Sequence, residues 1–387
     1  MSVLVIDDIG LLVTNDPTLG EGPLGLVRDA AVVVDGGRVV AVAPAGALAD
    51  ERVDAGGRCV IPGFVDSHTH LVFAGDRAEE FTARMAGHPY QAGGIGITTG
   101  ATRTASDDHL RMLAKARQAA ATSGGTTHLE IKSGYALDVD GEARLCRLAA
   151  ELTDDVTFLG AHLVPAEYHD RPDDYVALVA GPMLEACAPW CRWVDAFCEV
   201  GAFDADQTRA VLEAGRACGL GIRVHANQLG PGPGVAVAVE LGAASADHCT
   251  HLTDADVEAL AGSDTVATLL PAADFSTRQP YSPARRLVDA GATVALASNC
   301  NPGSSFTTSM TFCIALAVRE MHLSAEEALW SATAGGAAAL RRPDLGRLSP
   351  GALAHAVILD APSYHHIAYR PGMPLVAEVL GSPVTGH

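Results

Sequence analysis

Residues 60–70 read VIPGFVDSHTH, an apolar run followed by a cluster of polar residues. The run over 60–65 has the β-branched and aromatic content of a buried strand. The cluster closes with His68 and His70, one residue apart. Because side chains alternate along an extended chain, both imidazoles are expected on the same side, where they could chelate one divalent metal ion. Two incidental loop histidines are the other interpretation of this pattern.

The same kind of apolar run recurs along the chain. We predict strands over residues 60–65, 127–131, 156–160, 194–197, 222–224, 244–246, 266–269 and 294–297. Alanine-rich amphipathic stretches between several of these runs predict helices. Strands that alternate with helices form a parallel sheet, and eight such strands close a TIM-like (β/α)8 barrel. A doubly wound open sheet is the alternative, but no glycine fingerprint follows the first strand.

Both chain ends are also rich in predicted strands, but these strands are separated by turns. These strands cover residues 3–6, 31–34, 39–42, 356–359 and 374–380, with turn signals between them. We therefore predict an α/β protein in which the barrel, residues 58–345, is inserted in a small composite β-sandwich. That sandwich is formed by residues 1–57 and 346–387.

The composition narrows the class of protein. Of 387 residues, 48% are hydrophobic, and 26 Lys and Arg stand against 46 Asp and Glu, for a net charge of −20. Such a charge disfavours nucleic acid and anionic membrane as partners. Nine cysteines without a C-x-x-C pair and an acidic N-terminus predict a cytoplasmic protein with reduced thiols. The sequence contains two lysines, Lys115 and Lys132.

Polar residues follow the predicted strands at the end where a TIM barrel carries its active site. They are Asp66 to His70, Lys132 to Tyr135, His162, Glu199, His225, Asp247 with His248, and Asn299. Four of the eight strand ends thus carry a histidine. His225 could supply a third metal-binding nitrogen and leave positions for water. Residues 301–305, NPGSS, either offer N–H groups and hydroxyls to an anion or form a plain turn.

Three further side chains have two interpretations each. His248 could move a proton or polarise a carbonyl, or it could be a buried capping histidine. Lys132 could carry a carbamate between two metals or pair with a carboxylate, or it could pack beneath a loop. Arg77 could clamp a substrate carboxylate, or it could form a surface ion pair with Asp76 or Glu79.

With these residues, the chain resembles the amidohydrolase superfamily and, within it, the imidazolonepropionases. The resemblance covers essentially the whole length of the chain. The matching motifs are PGFVDSHTHLVFAGDRAEEF at 62–81, EIKSGYAL at 130–137, TFLGAHLVPAEY at 157–168, VDAFCEVGAF at 194–203, SADHCTHL at 245–252 and NPGSS at 301–305. The resemblance implies hydrolysis of the cyclic amide of 4-imidazolone-5-propanoate to N-formimidoyl-L-glutamate, in histidine degradation. It also implies one zinc or iron ion and a homodimer.

Matched motif by motif, the resemblance assigns roles to residues of this chain. The metal ligands would be His68, His70 and His225, with Asn299 at the position of a fourth ligand. His248 would be catalytic, with Gln228. Substrate contacts would fall on Arg77, Tyr135, His162, Gln228, Asn301, Gly303 and Ser304. A single metal ion argues against a carbamate on Lys132.

The chain departs from the family at Asn299, where the family has an aspartate that binds the metal and accepts a proton. An amide oxygen can still coordinate a cation, but a neutral amide cannot take a proton from water. The alternative function is therefore a paralogue that acts on another cyclic amide or binds its ligand without turnover.

Overall fold

A computed structural model describes residues 3–87 and 94–381. The strands in chain order are β1 (Leu4–Val13), β2 (Leu26–Asp35), β3 (Arg38–Pro44), β4 (Glu51–Asp54), β5 (Cys59–Pro62), β6 (Phe64–Asp66), β7 (Thr126–Lys132), β8 (Asp155–Ala161), β9 (Trp193–Cys198), β10 (Gly221–Ala226), β11 (Ser245–His248), β12 (Val266–Leu269), β13 (Val294–Leu296), β14 (Ala356–Leu359) and β15 (Val376–Leu380).

The helices connect and cover these strands. They are α1 (Ala78–Met85), α2 (Ile95–Thr104), α3 (Asp107–Ser123), α4 (Val139–Ala150), α5 (Pro172–Leu178), α6 (Leu184–Cys187), α7 (Ala205–Ala217), α8 (Gly234–Glu240), α9 (Asp254–Ala261), α10 (Pro271–Thr277), α11 (Ala284–Asp289), α12 (Met310–Glu320), α13 (Ala325–Trp330), α14 (Gly336–Ala339) and α15 (His366–Tyr369). Among the described residues, no helix combines the length and apolar character needed to cross a membrane.

Strands β6 to β13 form the predicted barrel. Within the described ranges they make one eight-stranded parallel sheet in sequential order. The first and last strands meet just beyond their ends, where the N–H of Asn299 donates to the carbonyl of His68 at 3.0 Å. The N–H of His70 donates to the carbonyl of Cys300, also at 3.0 Å. The seam of the barrel is thus closed at the His-x-His motif, and the predicted fold class is confirmed.

The terminal segments form the second sheet. Its strand order is β15-β14-β5-β1-β2-β3, with β4 also beside β1. Alternate residues of β5 and β14 face opposite ways: Val60 and Ile358 join the core of the terminal strands, whereas Ile61 and Val357 join the large core shared with the barrel. These two strands are therefore buried on both faces, and one of those faces packs against the barrel.

The single strand predicted over residues 60–65 is wrong, because it is two strands in different sheets. β5 pairs with β1 and β14, and β6 pairs with β7. The break falls at Gly63, whose N–H donates to the carbonyl of His355 at 2.9 Å. A side chain there would collide with Thr127, since a Cβ would lie 2.2 Å from its Oγ1. Glycine lets the chain pass from one sheet into the other.

The barrel depends on another close approach, between helix α14 and strand β6. A Cβ on Gly336 would lie 2.2 Å from the carbonyl oxygen of Val65. We expect Gly336→Ala to destabilise the protein by about 1–3 kcal/mol through overpacking, despite the better helix propensity of alanine. Thermal unfolding would measure this loss of stability.

The matched control is Gly100→Ala in helix α2, where an added Cβ meets nothing within 4 Å. This variant should be neutral or slightly more stable. Equal melting temperatures for the two variants would contradict the packing argument.

Candidate active site

Three histidines meet at the C-terminal mouth of the barrel. His68 and His70 follow β6, and His225 lies on β10. All three are buried, and the Nε2 atoms of His68 and His70 are 3.3 Å apart. One ring nitrogen from each residue lies within 4.8 Å of the others. The structure therefore brings together the three residues predicted as metal ligands.

The local chain explains why His68 and His70 point the same way. Thr69 between them is buried against strand β7, and its Oγ1 donates to the carbonyl of Glu130 at 2.6 Å. Its own carbonyl accepts from the N–H of Lys132 at 2.8 Å. These bonds to β7 hold residues 68–70 extended, so the two imidazoles project to the same side.

Five buried polar atoms at this point have no hydrogen-bond partner in the described part of the chain: Nδ1 of His70, Nδ1 and Nε2 of His225, Nδ1 of His248 and Oδ1 of Asn299. Two of them matter here, Nε2 of His225 and Oδ1 of Asn299. Asn299 adopts a left-handed conformation, φ 55°, and its Nδ2 donates to Oγ of Ser304 at 3.2 Å. Leaving buried acceptors unsatisfied costs about 1–3 kcal/mol each. Because both atoms are electron-pair donors beside two further imidazole nitrogens, this set of residues fits a divalent cation.

Two carboxylates lie behind the histidines. Oδ2 of Asp247 is 2.7 Å from Nδ1 of His68. Oδ2 of Asp195 is 2.9 Å from Nδ1 of His225, off the axis of the ring N–H, and Oδ1 of Asp195 accepts the backbone N–H of His225 at 3.1 Å. The hydrogen bond from Nδ1 of His68 to Asp247 fixes the tautomer that leaves Nε2 of His68 as the electron-pair donor, and Asp195 lies against the same ring position of His225.

The carboxylates belong to a fully buried charge cluster with Lys132, Glu130 and Arg223. Burial alone would raise the pKa values of Asp195 and Asp247, but the neighbouring cations and histidines hold both well below their usual range. Burial would lower the pKa of Lys132, but Asp195 and Glu130 raise it. The two carboxylates are therefore ionised and the ammonium is charged.

Asp195, Glu130 and Arg223 were not predicted as site residues. A signal was present in the sequence, because Glu130 and Lys132 are two apart on β7, and Arg223 and His225 are two apart on β10. Charged residues at alternate positions of a buried strand must face the same interior. The pattern predicts a polar barrel centre once the strands are known.

A cavity adjoins the histidines. Its lining residues are His70, Arg77, Ile95, Tyr135, His162, Leu163, Phe197, His225, Gln228, His248, Asn299, Asn301 and Ser304. The predicted substrate and catalytic residues thus line one cavity, apart from Gly303. The apolar residues Ile95, Leu163 and Phe197 were not predicted, because their sequence surroundings resemble those of ordinary core residues.

Arg77 is buried in the cavity wall. Its Nε and one terminal nitrogen each lie 2.7 Å from the carboxylate of Glu80, which also pairs with Arg84 at 3.0 Å. The alternative of a surface ion pair with Asp76 or Glu79 does not hold for this side chain. A Cβ on Gly303 would lie 2.2 Å from Arg77, so the glycine makes room for the guanidinium.

The loop after β13 is ordered by Asn301. Its Oδ1 accepts the N–H groups of Gly303 and Ser304, both at 2.8 Å, and its Nδ2 donates to the carbonyl of Asn299 at 2.8 Å. The N–H of Gly303 is therefore engaged within the loop. This arrangement places Ser304 and Asn299 on the cavity wall.

Two more histidines complete the cavity. Nδ1 of His162 donates to the carbonyl of Gly134 at 2.9 Å, and burial lowers the pKa of His162 to about 4. His162 is therefore neutral, with Nε2 as an acceptor. His248 has a left-handed backbone, φ 79°, and its Nδ1 is buried without a hydrogen-bond partner among the described residues. A capping role would require such a partner.

Comparison with known proteins agrees with this architecture. The model of the Amidohydrolase family matches residues 59–381. The chain is 67% identical over 388 residues to the imidazolonepropionase of Salinispora tropica, with 99% of each chain covered. It is 65% identical to the imidazolonepropionase of Mycolicibacterium smegmatis, covering 98% of this chain and 96% of that protein.

Solved structures share the fold at low sequence identity. A triazine hydrolase from Arthrobacter aurescens superposes with a TM-score of 0.76 at 19% identity, covering 100% of this chain and 96% of that one. The guanine deaminase of C. acetobutylicum gives 0.74 at 14% identity, covering 98% and 99%. With the family match over most of its length and relatives of such high identity, the chain belongs to the amidohydrolase family.

Proposed function

We propose that the protein is an imidazolonepropionase, which hydrolyses 4-imidazolone-5-propanoate to N-formimidoyl-L-glutamate. The observation that carries the proposal is the single cavity in which a buried guanidinium, Arg77, lies with His70, His225 and His248. A substrate with a carboxylate at one end and a cyclic amide at the other matches these two kinds of group. The names of the relatives that are 67% and 65% identical over almost the whole chain support the same assignment.

We place one divalent cation, zinc or iron, on His68, His70 and His225, with Oδ1 of Asn299 as a further ligand. The convergence of the ring nitrogens and the two unsatisfied acceptors supports this placement. When bound, the cation would act as a Lewis acid and lower the pKa of a water molecule. Its location at the barrel mouth is the usual place for catalysis in this fold.

The chain's own residues would orient the substrate. Arg77 keeps its orientation through the bidentate pair with Glu80, and its guanidinium lines the cavity, where its positive charge would attract the propanoate carboxylate. Neutral His162 can accept a ring N–H at Nε2. Tyr135 and Gln228 line the same wall.

Hydrolysis adds the oxygen of water to the amide carbonyl carbon, breaks the C–N bond and protonates the departing nitrogen. Asn299 cannot accept the proton that water loses, because an amide has no available basic site. His248 lines the same cavity and offers an imidazole nitrogen. We therefore assign the proton transfer to His248.

The homodimer and the cytoplasmic location stay predictions, as does the domain division at residues 57/58 and 345/346.

The first prediction concerns Asn299. We expect the native chain to turn over and Asn299→Asp to raise kcat by about 10²–10⁴-fold, because it adds a general base at the cation. Loss of 4-imidazolone-5-propanoate is followed, with its spontaneous decay subtracted. Asn227→Asp is the matched control, since Asn227 is also buried and left-handed, φ 53°, but does not line the cavity. Native turnover at background, with activity only in Asn299→Asp, would instead indicate a ligand-binding protein.

The second prediction concerns Arg77. Losing a charge-assisted hydrogen bond costs about 1.5–3 kcal/mol, so Arg77→Gln should raise KM by about 10–150-fold and change kcat less. Arg171→Gln on the exposed surface is the control. An imidazolone that lacks the carboxylate should be hydrolysed equally by the native chain and Arg77→Gln. If the native chain and Arg77→Gln still hydrolysed that substrate with very different kcat/KM values, Arg77 would not act by binding the carboxylate.

The third prediction concerns the cation. Dialysis against a chelator should abolish hydrolysis and lower the melting temperature, since a ligand at 100 times its Kd stabilises by about 2.7 kcal/mol. Zn²⁺ or Fe²⁺ should restore both, whereas Mg²⁺ should not, because it prefers oxygen ligands. Full activity of protein shown by elemental analysis to be metal-free would refute the proposed site.

A further inference from the structure

Lys132 is fully buried at the end of β7, in a chain whose other lysine, Lys115, is exposed on α3. A buried ammonium is costly unless carboxylates and hydrogen bonds surround it. Its contacts therefore show which groups stabilise the charge of this ammonium. Arginine supplies almost all the positive charge elsewhere in this sequence, with 26 Lys and Arg in total.

The ammonium reaches three carboxylates. Nζ lies 2.9 Å from Oε1 of Glu130, 2.8 Å from Oδ2 of Asp195 and 3.5 Å from Oδ2 of Asp247. A lysine has three N–H donors on one compact centre, which suits three separate oxygens better than the planar fork of arginine.

Two of these oxygens also contact the histidines at the proposed cation. Oδ2 of Asp195 is 2.9 Å from Nδ1 of His225, and Oδ2 of Asp247 is 2.7 Å from Nδ1 of His68. A single carboxylate oxygen therefore separates Nζ of Lys132 from each of two imidazoles, and these imidazoles come from different strands of the barrel. Lys132 itself is not among the residues that line the cavity.

Arg223 does not duplicate this link. It pairs with Asp247 at 3.1 Å, and its other donors bind the carbonyls of Ser67 at 2.7 Å and Ala339 at 3.0 Å. Without Lys132, three buried carboxylates would face one guanidinium. Like charges at this distance repel one another, so a carboxylate would move from its place behind the histidine.

We infer that Lys132 is a positioning residue for cation binding, which holds Asp195 and Asp247 so that His225 and His68 present Nε2 to the cation. The inference rests on the proposed metal site. Changing the partners behind metal-binding histidines typically weakens metal affinity by about 10–100-fold. A residue that only filled the barrel centre would change stability and leave metal affinity unaltered.

The test compares Lys132→Met with Lys115→Met, the same change at the other lysine. Zinc dissociation constants are measured by competition with a chromogenic chelator. We expect an affinity about 10–100-fold weaker for Lys132→Met and unchanged for Lys115→Met. The d–d absorption of the Co²⁺-substituted protein should change in Lys132→Met alone, because it reports ligand geometry.

The outcomes separate the two proposals. If the native chain binds no stoichiometric zinc, the proposed metal site fails. If the native chain binds zinc and Lys132→Met binds it equally well, with apo and loaded melting temperatures lowered by the same amount, Lys132 is merely structural. Should Lys132→Met not fold, Asp195→Asn is measured instead, since it weakens the same link to His225. An unchanged zinc affinity there would overturn the inference.

Discussion

Two backbone hydrogen bonds, between Asn299 and His68 and between His70 and Cys300, join the end of the first barrel strand to the end of the last. Every other feature of the cavity depends on this closure. It fixes His68 and His70 opposite His225, and it brings Asn299 beside them. Because the bonds are made by the backbone, they tolerate exchange of the side chain at position 299. The chain can therefore carry an amide where the family has a carboxylate and keep the same architecture.

The barrel centre is polar rather than apolar beneath the cavity. Burying Glu130, Asp195 and Asp247 with Lys132 and Arg223 offers little net stability, because desolvation offsets most of the attraction. What the cluster supplies is orientation, since each carboxylate has its direction set by a cation and a neighbouring strand. The surrounding layers of small apolar side chains exclude water from it. Stability comes instead from the large cores around it.

Much of this site could be predicted from the sequence, because strand ends of a barrel meet in space. His68, His70, His225 and His248 were found by their position after apolar runs, with no knowledge of contacts. Pairings between distant segments could not be found in this way. Glu80 was missed as the partner of Arg77, because three acidic residues surround that arginine and only the fold selects one. The division of residues 60–65 between two sheets depends on β14, which lies near the other end of the chain.

That division has a consequence for how the protein is made. β5 needs β14 as its neighbour, and the whole barrel lies between them in sequence. At roughly 5–20 residues per second, β14 leaves the ribosome some 15–60 s after β5. During that interval β1, β2 and β3 can pair locally, but one side of β5 has no neighbouring strand. The barrel strands are synthesised first, so the sheet that leads into His68 is the last to be completed. An unpaired apolar edge of this kind invites association with other chains until β14 pairs with it.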